Sequence, residues 1–285
     1  MVPAADRVNK PGQSSVWLDA RTPRSGGGTG RAGAGGGGAG GGTGAGGAGG
    51  RRAESAAAGL DREKITVVTV ALLDAEGLAK FSMRRLAAEL NVTAMSVYWY
   101  VATKDDLLEL ALDRVVGELA LPDPEDGSDW RGQLRRLAQS YREMLVGHPW
   151  AASLMSRFLN IGPNMMRFST ASLGLMARSG LPLERQGGAI AAVFQFVYGY
   201  ANSEGQFHRR AADLGLSADE FYQQAMGTIA GEIESSELFR RSTEVMEARG
   251  GDTVAEMYGR DFEVALDVLV AGIEAMSSGG GGSDV

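Results

Sequence analysis

Arg84, Thr93, Ser96, Tyr98, Trp99, Tyr100 and Lys104 bring two cations, two aliphatic hydroxyls and three consecutive aromatic rings into one short stretch of chain. Guanidinium and ammonium groups bind phosphate oxygens, and an arginine can also bridge the edge of a guanine. Aromatic rings left outward on a short helix are a burial defect unless another surface, such as a DNA groove, comes to cover them. Ala94 and Met95 lie among these groups and share their candidate role as DNA contacts.

Such side chains need a frame, and Phe81 to Val101 reads as two short helices joined by a tight turn. Leu86, Ala87 and Leu90 share one face of the first helix, Val97 and Val101 one face of the second, and Val92 plugs the gap between them. Ser82, Thr93 and Thr103 are capping residues for three successive helix starts, the third opening with Lys104, Asp105 and Asp106 and running to about Leu121 before Pro122-Asp123-Pro124. Asn91 stands where the chain must turn, and asparagine visits the left-handed region readily. Arg84 and Arg85 lie in a first helical turn, where the dipole disfavours positive charge, so an external anion is expected to account for both.

From Leu60 to about Leu112 these residues resemble the DNA-binding domain of the TetR family of transcriptional repressors. The likeness rests on Asp61-Arg62-Glu63-Lys64-Ile65 to Glu76-Gly77, on Phe81-Ser82-Met83-Arg84-Arg85-Leu86-Ala87, on Tyr98-Trp99-Tyr100-Val101 and on Thr103-Lys104-Asp105-Asp106-Leu107-Leu108. Tyr98-Trp99-Tyr100-Val101 looks most like the branch containing the tetracycline repressor, with Tyr100 where His is common. Asn91 stands where the family usually has Gly, and Ala94-Met95 where a polar residue and Pro occur. The resemblance implies an all-α protein with a helix-turn-helix head over 60–105 and a helical effector-binding and dimerisation domain over 106–277. It also implies a homodimer on a palindromic double-stranded DNA operator, released by a small-molecule effector.

Net charge is −7, unevenly distributed. Lys and Arg against Asp and Glu number 7 against 3 over residues 1–60, 6 against 6 over 61–105, and 15 against 26 beyond. An acidic body can orient the molecule so that its neutral-to-basic end approaches phosphates. The chain has no cysteine, which excludes disulfides. It lacks an apolar signal core and any run of eighteen apolar residues, so a cytoplasmic protein without a membrane partner is expected.

Residues 1–59 read as a disordered arm, since 17 of the 25 residues from Gly26 to Gly50 are glycine. Arg21, Arg24, Arg31, Arg51 and Arg52 flank or interrupt that tract and are spaced to follow phosphates or enter a minor groove. Ser15-Val16-Trp17-Leu18 is its one apolar spot, and similar Trp-Leu segments precede the first helix in some family members. No Gly-Lys-Ser/Thr follows the glycines, so a nucleotide site is rejected.

Downstream, Asp129 caps a helix to about Gly147, and another runs from Trp150 to about Asn160. Pro163 opens a third ending at Ser179-Gly180, and Pro182 starts a long fourth reaching roughly Arg210. Ser217-Ala218-Asp219-Glu220 is a capping box, further helix is expected around Leu238 to Ala248, and a last helix spans about Thr253 to Met276, leaving 278–285 as a disordered tail. Ala189, Ile190, Val193, Phe194, Val197, Tyr198 and Ala201 form a broad apolar stripe on the fourth helix. Val264, Leu266, Val268, Leu269, Val270 and Ile273 cover more than half of the last. Each must bury one face in its own core and another elsewhere, as a dimer interface allows.

His148, Asn160, Asn164, Phe168, Phe194, Gln195, Tyr198, Asn202 and Gln206 supply the mixture of apolar surface and sparse polar groups that lines small-molecule sites, and are the candidate effector contacts. Glu204 and His208, at i and i+4, read as an ion pair rather than metal ligands, so no metal and no cofactor is assigned. No Gly-x-Ser-x-Gly elbow occurs and no Cys is available, so no catalytic residue is assigned and an enzyme is not expected. The alternative is a helical binding protein without operator-specific DNA binding, which a salt-dependent gel shift separates from the first reading.

Overall fold

The computed structural model describes residues 15–19, 60–123, 129–233 and 250–278, with 241, 244, 245 and 248 between the last two stretches. The five arginines expected to form a basic arm, Pro124, most of 238–248 and residues 279–285 lie outside that set. Every regular element among the described residues is helical: α1 Val16–Asp19, α2 Arg62–Glu76, α3 Met83–Glu89, α4 Ala94–Tyr98, α5 Lys104–Val116, α6 Trp130–Gly147, α7 Pro149–Met155, α8 Pro163–Arg178, α9 Leu183–Asp213, α10 Ala218–Ile233 and α11 Val254–Ser278. Packing divides them into two units, one ending at Arg114 but including Arg157–Gly162, the other formed by the rest. The sequence boundary at 105 falls in the first turn of α5, whereas the packing boundary falls further along the same helix, after Arg114.

In the first unit, each start is capped as the residue types dictate. The Asp61 carboxylate accepts the Lys64 amide at 2.7 Å, Ser82 the Arg85 amide and Thr93 the Ser96 amide, each at 3.2 Å. Gly77 closes α2 at φ 77°, and Asn91 turns the chain between α3 and α4 at φ 54°, a conformation open to Gly and tolerated by Asn. A five-residue helix such as α4 is far too short to persist alone. It forms because Val97 and Val101 are buried with Leu86 and Ala87 in the core of this unit.

Thr103 and Asp106 cap α5 reciprocally, each side chain accepting the other's amide at 3.0 and 3.1 Å. This helix ends at Val116 rather than near Leu121. Glu118 and Leu119 donate three residues back in a tightened turn, and the Ala120 amide turns away to the Ser140 hydroxyl at 2.9 Å. A second correction concerns the arm: Ser15 and Val16 are buried, and Val16 opens α1, so residues 15–19 are not part of a uniformly disordered segment.

In the second unit α9 is the spine. Its 31 residues pack against α6, α7, α8, α10 and α11. Val193, Phe194, Val197 and Ala201 face the core, whereas Ala191, Ala192, Gly199 and Ser203 are exposed on another side. On α11, Phe262, Leu266, Val270 and Ile273 are buried while Val264 and Val268 stand 65% and 67% exposed. The two-sided apolarity read from sequence therefore splits into a covered and an uncovered face on each helix.

Helix α7 stops at Met155 instead of continuing to Asn160. Asn160 adopts φ 54°, which no α-helix accommodates, and Gly162 lies so close to the Asp113 carboxylate that a Cβ there would collide with it. Inside the second unit, Arg142 of α6 makes a two-pronged contact with Glu204 of α9 at 2.7 and 2.8 Å. Both side chains are more than nine-tenths buried, and the guanidinium also lies over the Phe262 ring. Glu204 is therefore the partner of Arg142, and the expected pairing with His208 on its own helix is replaced by one across helices.

Candidate functional site

The outward surface of α4 is built from very few residues. Met95 and Trp99 are 70% and 79% exposed, Tyr98 is 43% exposed, and Thr93 is exposed beside them. Ala94, Ser96 and Tyr100 are half-buried, and the Thr93 and Ser96 hydroxyls share a hydrogen bond at 2.9 Å. Arg62 of α2 reaches across to the Tyr100 carbonyl at 3.2 Å and fastens the end of the short helix. Large apolar groups this exposed next to a rigid, capped helix end form a surface shaped for a partner.

The cations around it divide. Arg84 is exposed, and among the described residues nothing forms a hydrogen bond or ion pair with it. Arg85 is instead held by Glu76 and Glu89, both at 2.8 Å, so its anion is internal and the expectation of an external one fails for this residue. Lys104 donates to the Phe81 carbonyl at 2.8 Å and lies 5.3 Å from the Phe81 ring centre, so one of its three donors is committed to the unit's own structure.

The expected effector contacts are gathered unevenly. Phe168 and Phe194 meet edge to face at 4.9 Å, and both meet Tyr141, which stacks on Phe168 at 5.3 Å and abuts Phe194 at 5.7 Å. Tyr198 on α9 donates to the Ala152 carbonyl at 2.9 Å, and Asn202 one turn on is half-buried. Gln195 and Gln206 are exposed, on the outward side of α9 rather than with these rings. Asn160 belongs to the first unit and Asn164, half-buried, to the second. His148 ends α6 and precedes Pro149 as the helix stop expected of it, and its Nε2 is 3.0 Å from the Glu118 carboxylate.

Tyr141 is the member of this ring cluster that was not among the expected effector contacts. Its hydroxyl donates to the Met155 sulfur at 3.1 Å, a weak acceptor, and burial pushes the phenol well above its usual range. The available signal was its type: a tyrosine at a core position of an amphipathic helix carries a polar tip that needs a partner.

Comparison with known proteins follows the same division. Residues 65–111 match the model of the tetR family of bacterial regulatory proteins, and residues 121–277 match the tetracyclin repressor-like C-terminal domain. Over 145 residues the chain is 41% identical to an HTH-type transcriptional regulator of Saccharopolyspora erythraea, a match covering 51% of this chain and 61% of that protein, less than two thirds of its length. It is 30% identical over 222 residues to the HTH-type transcriptional repressor DrrR1 of Streptomyces coeruleorubidus, covering 76% and 78% of the two chains. Among solved structures, ActR from Streptomyces coelicolor in complex with actinorhodin aligns with a TM-score of 0.62 and 28% identity over 76% of this chain and 97% of that one. The capped helix pair with its exposed aromatic face falls within the first matched family domain and most of the second helical unit within the other, and the chain belongs to the TetR family of transcriptional regulators.

Proposed function

We propose that the protein is a one-component repressor that binds a palindromic operator as a homodimer in the cytoplasm, is released by a small molecule, and catalyses nothing. The observation that carries this reading is the exposed Met95-Tyr98-Trp99 surface of α4, capped and pinned by buried Val97, together with exposed Arg84, which no described residue pairs. In this reading Arg84 reads a base edge, Thr93, Ser96, Tyr98, Trp99 and Tyr100 contact the groove and its phosphates with Ala94 and Met95, and Lys104 adds a phosphate contact. The uncovered faces of α9 and α11 meet their copies across a two-fold axis, which spaces two heads for half-sites about 34–36 Å apart.

The effector in this reading is a flat, largely apolar molecule. Support comes from the three rings of Tyr141, Phe168 and Phe194, which favour stacking on another ring, and from the Tyr141 hydroxyl, whose hydrogen-bond partner among the described residues is a thioether. DrrR1 is named a repressor and ActR is solved with a small molecule, both in keeping with such a role. Selection of bound fragments from random duplex DNA by the purified full chain tests it. Recovery of an inverted repeat bound by two chains is expected; recovery of no preferred sequence would leave a helical binding protein without operator recognition.

A further inference from the structure

Helix α5 carries an acidic stripe, Asp105, Glu109 and Asp113, at successive i, i+4 positions. Its first member is bound by Arg157 at 2.8 Å and its last lies against Gly162, both on the 157–162 segment. Like Asp113 at 6%, the middle member Glu109 is only 5% exposed, in a run where Leu107, Leu108, Leu110, Ala111 and Leu112 are all buried. No cation among the described residues pairs with it, and its carboxylate neighbours Asp105 and Asp106 repel it. A charge in that position is strongly unfavourable unless donors reach it.

The donors come from a distant part of the chain. The Ser15 hydroxyl donates to Glu109 Oε2 at 2.7 Å and the Val16 amide to the same oxygen at 3.0 Å. Ser15 also accepts the Trp17 amide, its carbonyl accepts the Leu18 amide at 3.1 Å, and Val16 is 6% exposed. The segment therefore presents a hydroxyl, a free amide and an apolar side chain from one tight turn. Nothing in local sequence forces it there, since residues 20–59 separate it from the unit it joins.

We propose that the face of α5 centred on Glu109 is a peptide-docking site, and that its occupant is the chain's own Ser15–Leu18, a detachable clip that supplies hydrogen-bond donors to a buried carboxylate on the helix leading out of the DNA-binding unit. The stripe explains the choice of residue at 109. A leucine would suit the buried run better, whereas a glutamate selects for a segment with two donors and makes occupancy reversible. With the clip released, Glu109 keeps its charge without donors and the middle of α5 loosens, between the two positions gripped by the 157–162 segment.

Amide hydrogen exchange on the full chain tests this. Residues 15–18 should exchange at least tenfold more slowly than in the free peptide Gln13–Ala20. Val16→Asp, which sets a second carboxylate against Glu109, should abolish that protection and accelerate exchange across 107–113. Ser15→Ala, a milder change that keeps the fold, should raise exchange at Val16 several-fold. Adding the Gln13–Ala20 peptide to the Val16→Asp protein should restore slow exchange across 107–113 saturably, and a scrambled peptide should not. Free-peptide exchange rates at 15–18 in the unaltered chain, or failure of the added peptide to slow 107–113, would overturn the proposal.

Discussion

The head and the body use aromatic rings in opposite ways. At the end of α4, Tyr98 and Trp99 are exposed, on a helix held by its caps, by Arg62 on the Tyr100 carbonyl and by buried Val97. In the body, Tyr141, Phe168 and Phe194 meet one another at 4.9–5.7 Å, while Phe262 lies under a guanidinium bound to a buried carboxylate. Rings in the body are held by burial and therefore contribute to stability. Phe81 of the head is buried like them, but Trp99, 79% exposed, contributes little to folding, so its place at the surface is a matter of what it binds.

Substitutions that separate folding from binding sharpen this contrast. The largest effect is expected at the buried ion pair: Glu204→Ala strands the Arg142 guanidinium and should lower stability by about 3–5 kcal/mol, read from the urea midpoint. Replacing both members, Arg142→Met with Glu204→Leu, should be close to neutral, and an equally large loss in the double variant would mean that the single variant's loss does not come from the stranded guanidinium. Next comes the head. Arg84→Ala should cost about 1–3 kcal/mol on the selected DNA and relax its sequence preference. Trp99→Ala should weaken DNA binding while shifting the unfolding midpoint by less than about 0.5 kcal/mol equivalent. A strongly destabilised Trp99→Ala protein would erase the distinction between the two regions. Thr93→Ala removes the cap of α4 and should cost about 1 kcal/mol, with DNA affinity falling because the helix it orders is the one presented.

The smallest expected effect is a slope with pH. Burial first, then the carboxylates of Asp105 and Asp106, holds Glu109 above the ordinary carboxylate range, against the opposing hydrogen bonds from Ser15 and Val16. A raised acid binds more protons folded than unfolded, so stability should fall as pH rises from the ordinary glutamate range through the raised value. Glu109→Gln should flatten that segment of the curve in chemical denaturation series at several pH values. An unchanged curve would place the pH dependence elsewhere.

Local chemistry made the head legible. Asp61, Ser82, Thr93, Thr103 and Gly77 act within three or four residues of themselves, so their capping roles can be read from type and spacing, as can the left-handed turn at Asn91. The two-faced apolarity of α9 and α11 was legible for the same reason, since a helical period maps sequence onto faces. Partners from distant chain were not. Glu204 looked like a mate for His208 because only its own helix was in view, and Arg85 looked unexplained because Glu76 lies on another helix. Gln195 and Tyr198 are near in sequence, yet a rotation of some 300° around the helix sends one outward and leaves the other facing Ala152. The docking of Ser15 on Glu109 spans 94 residues of separation and has no local signature at all.

One consequence follows from α9 being a single unbroken rod. Phe194 faces the ring cluster, and Gly199 faces away little more than one turn later. A continuous helix resists twisting across so short a length, so whatever pushes Phe194 aside also turns the outer surface carrying Ala191, Gly199 and Ser203. Two copies joined through that surface would then sense each other's occupancy, and the dose-response of release should be steeper than that of independent sites, with a Hill coefficient above one.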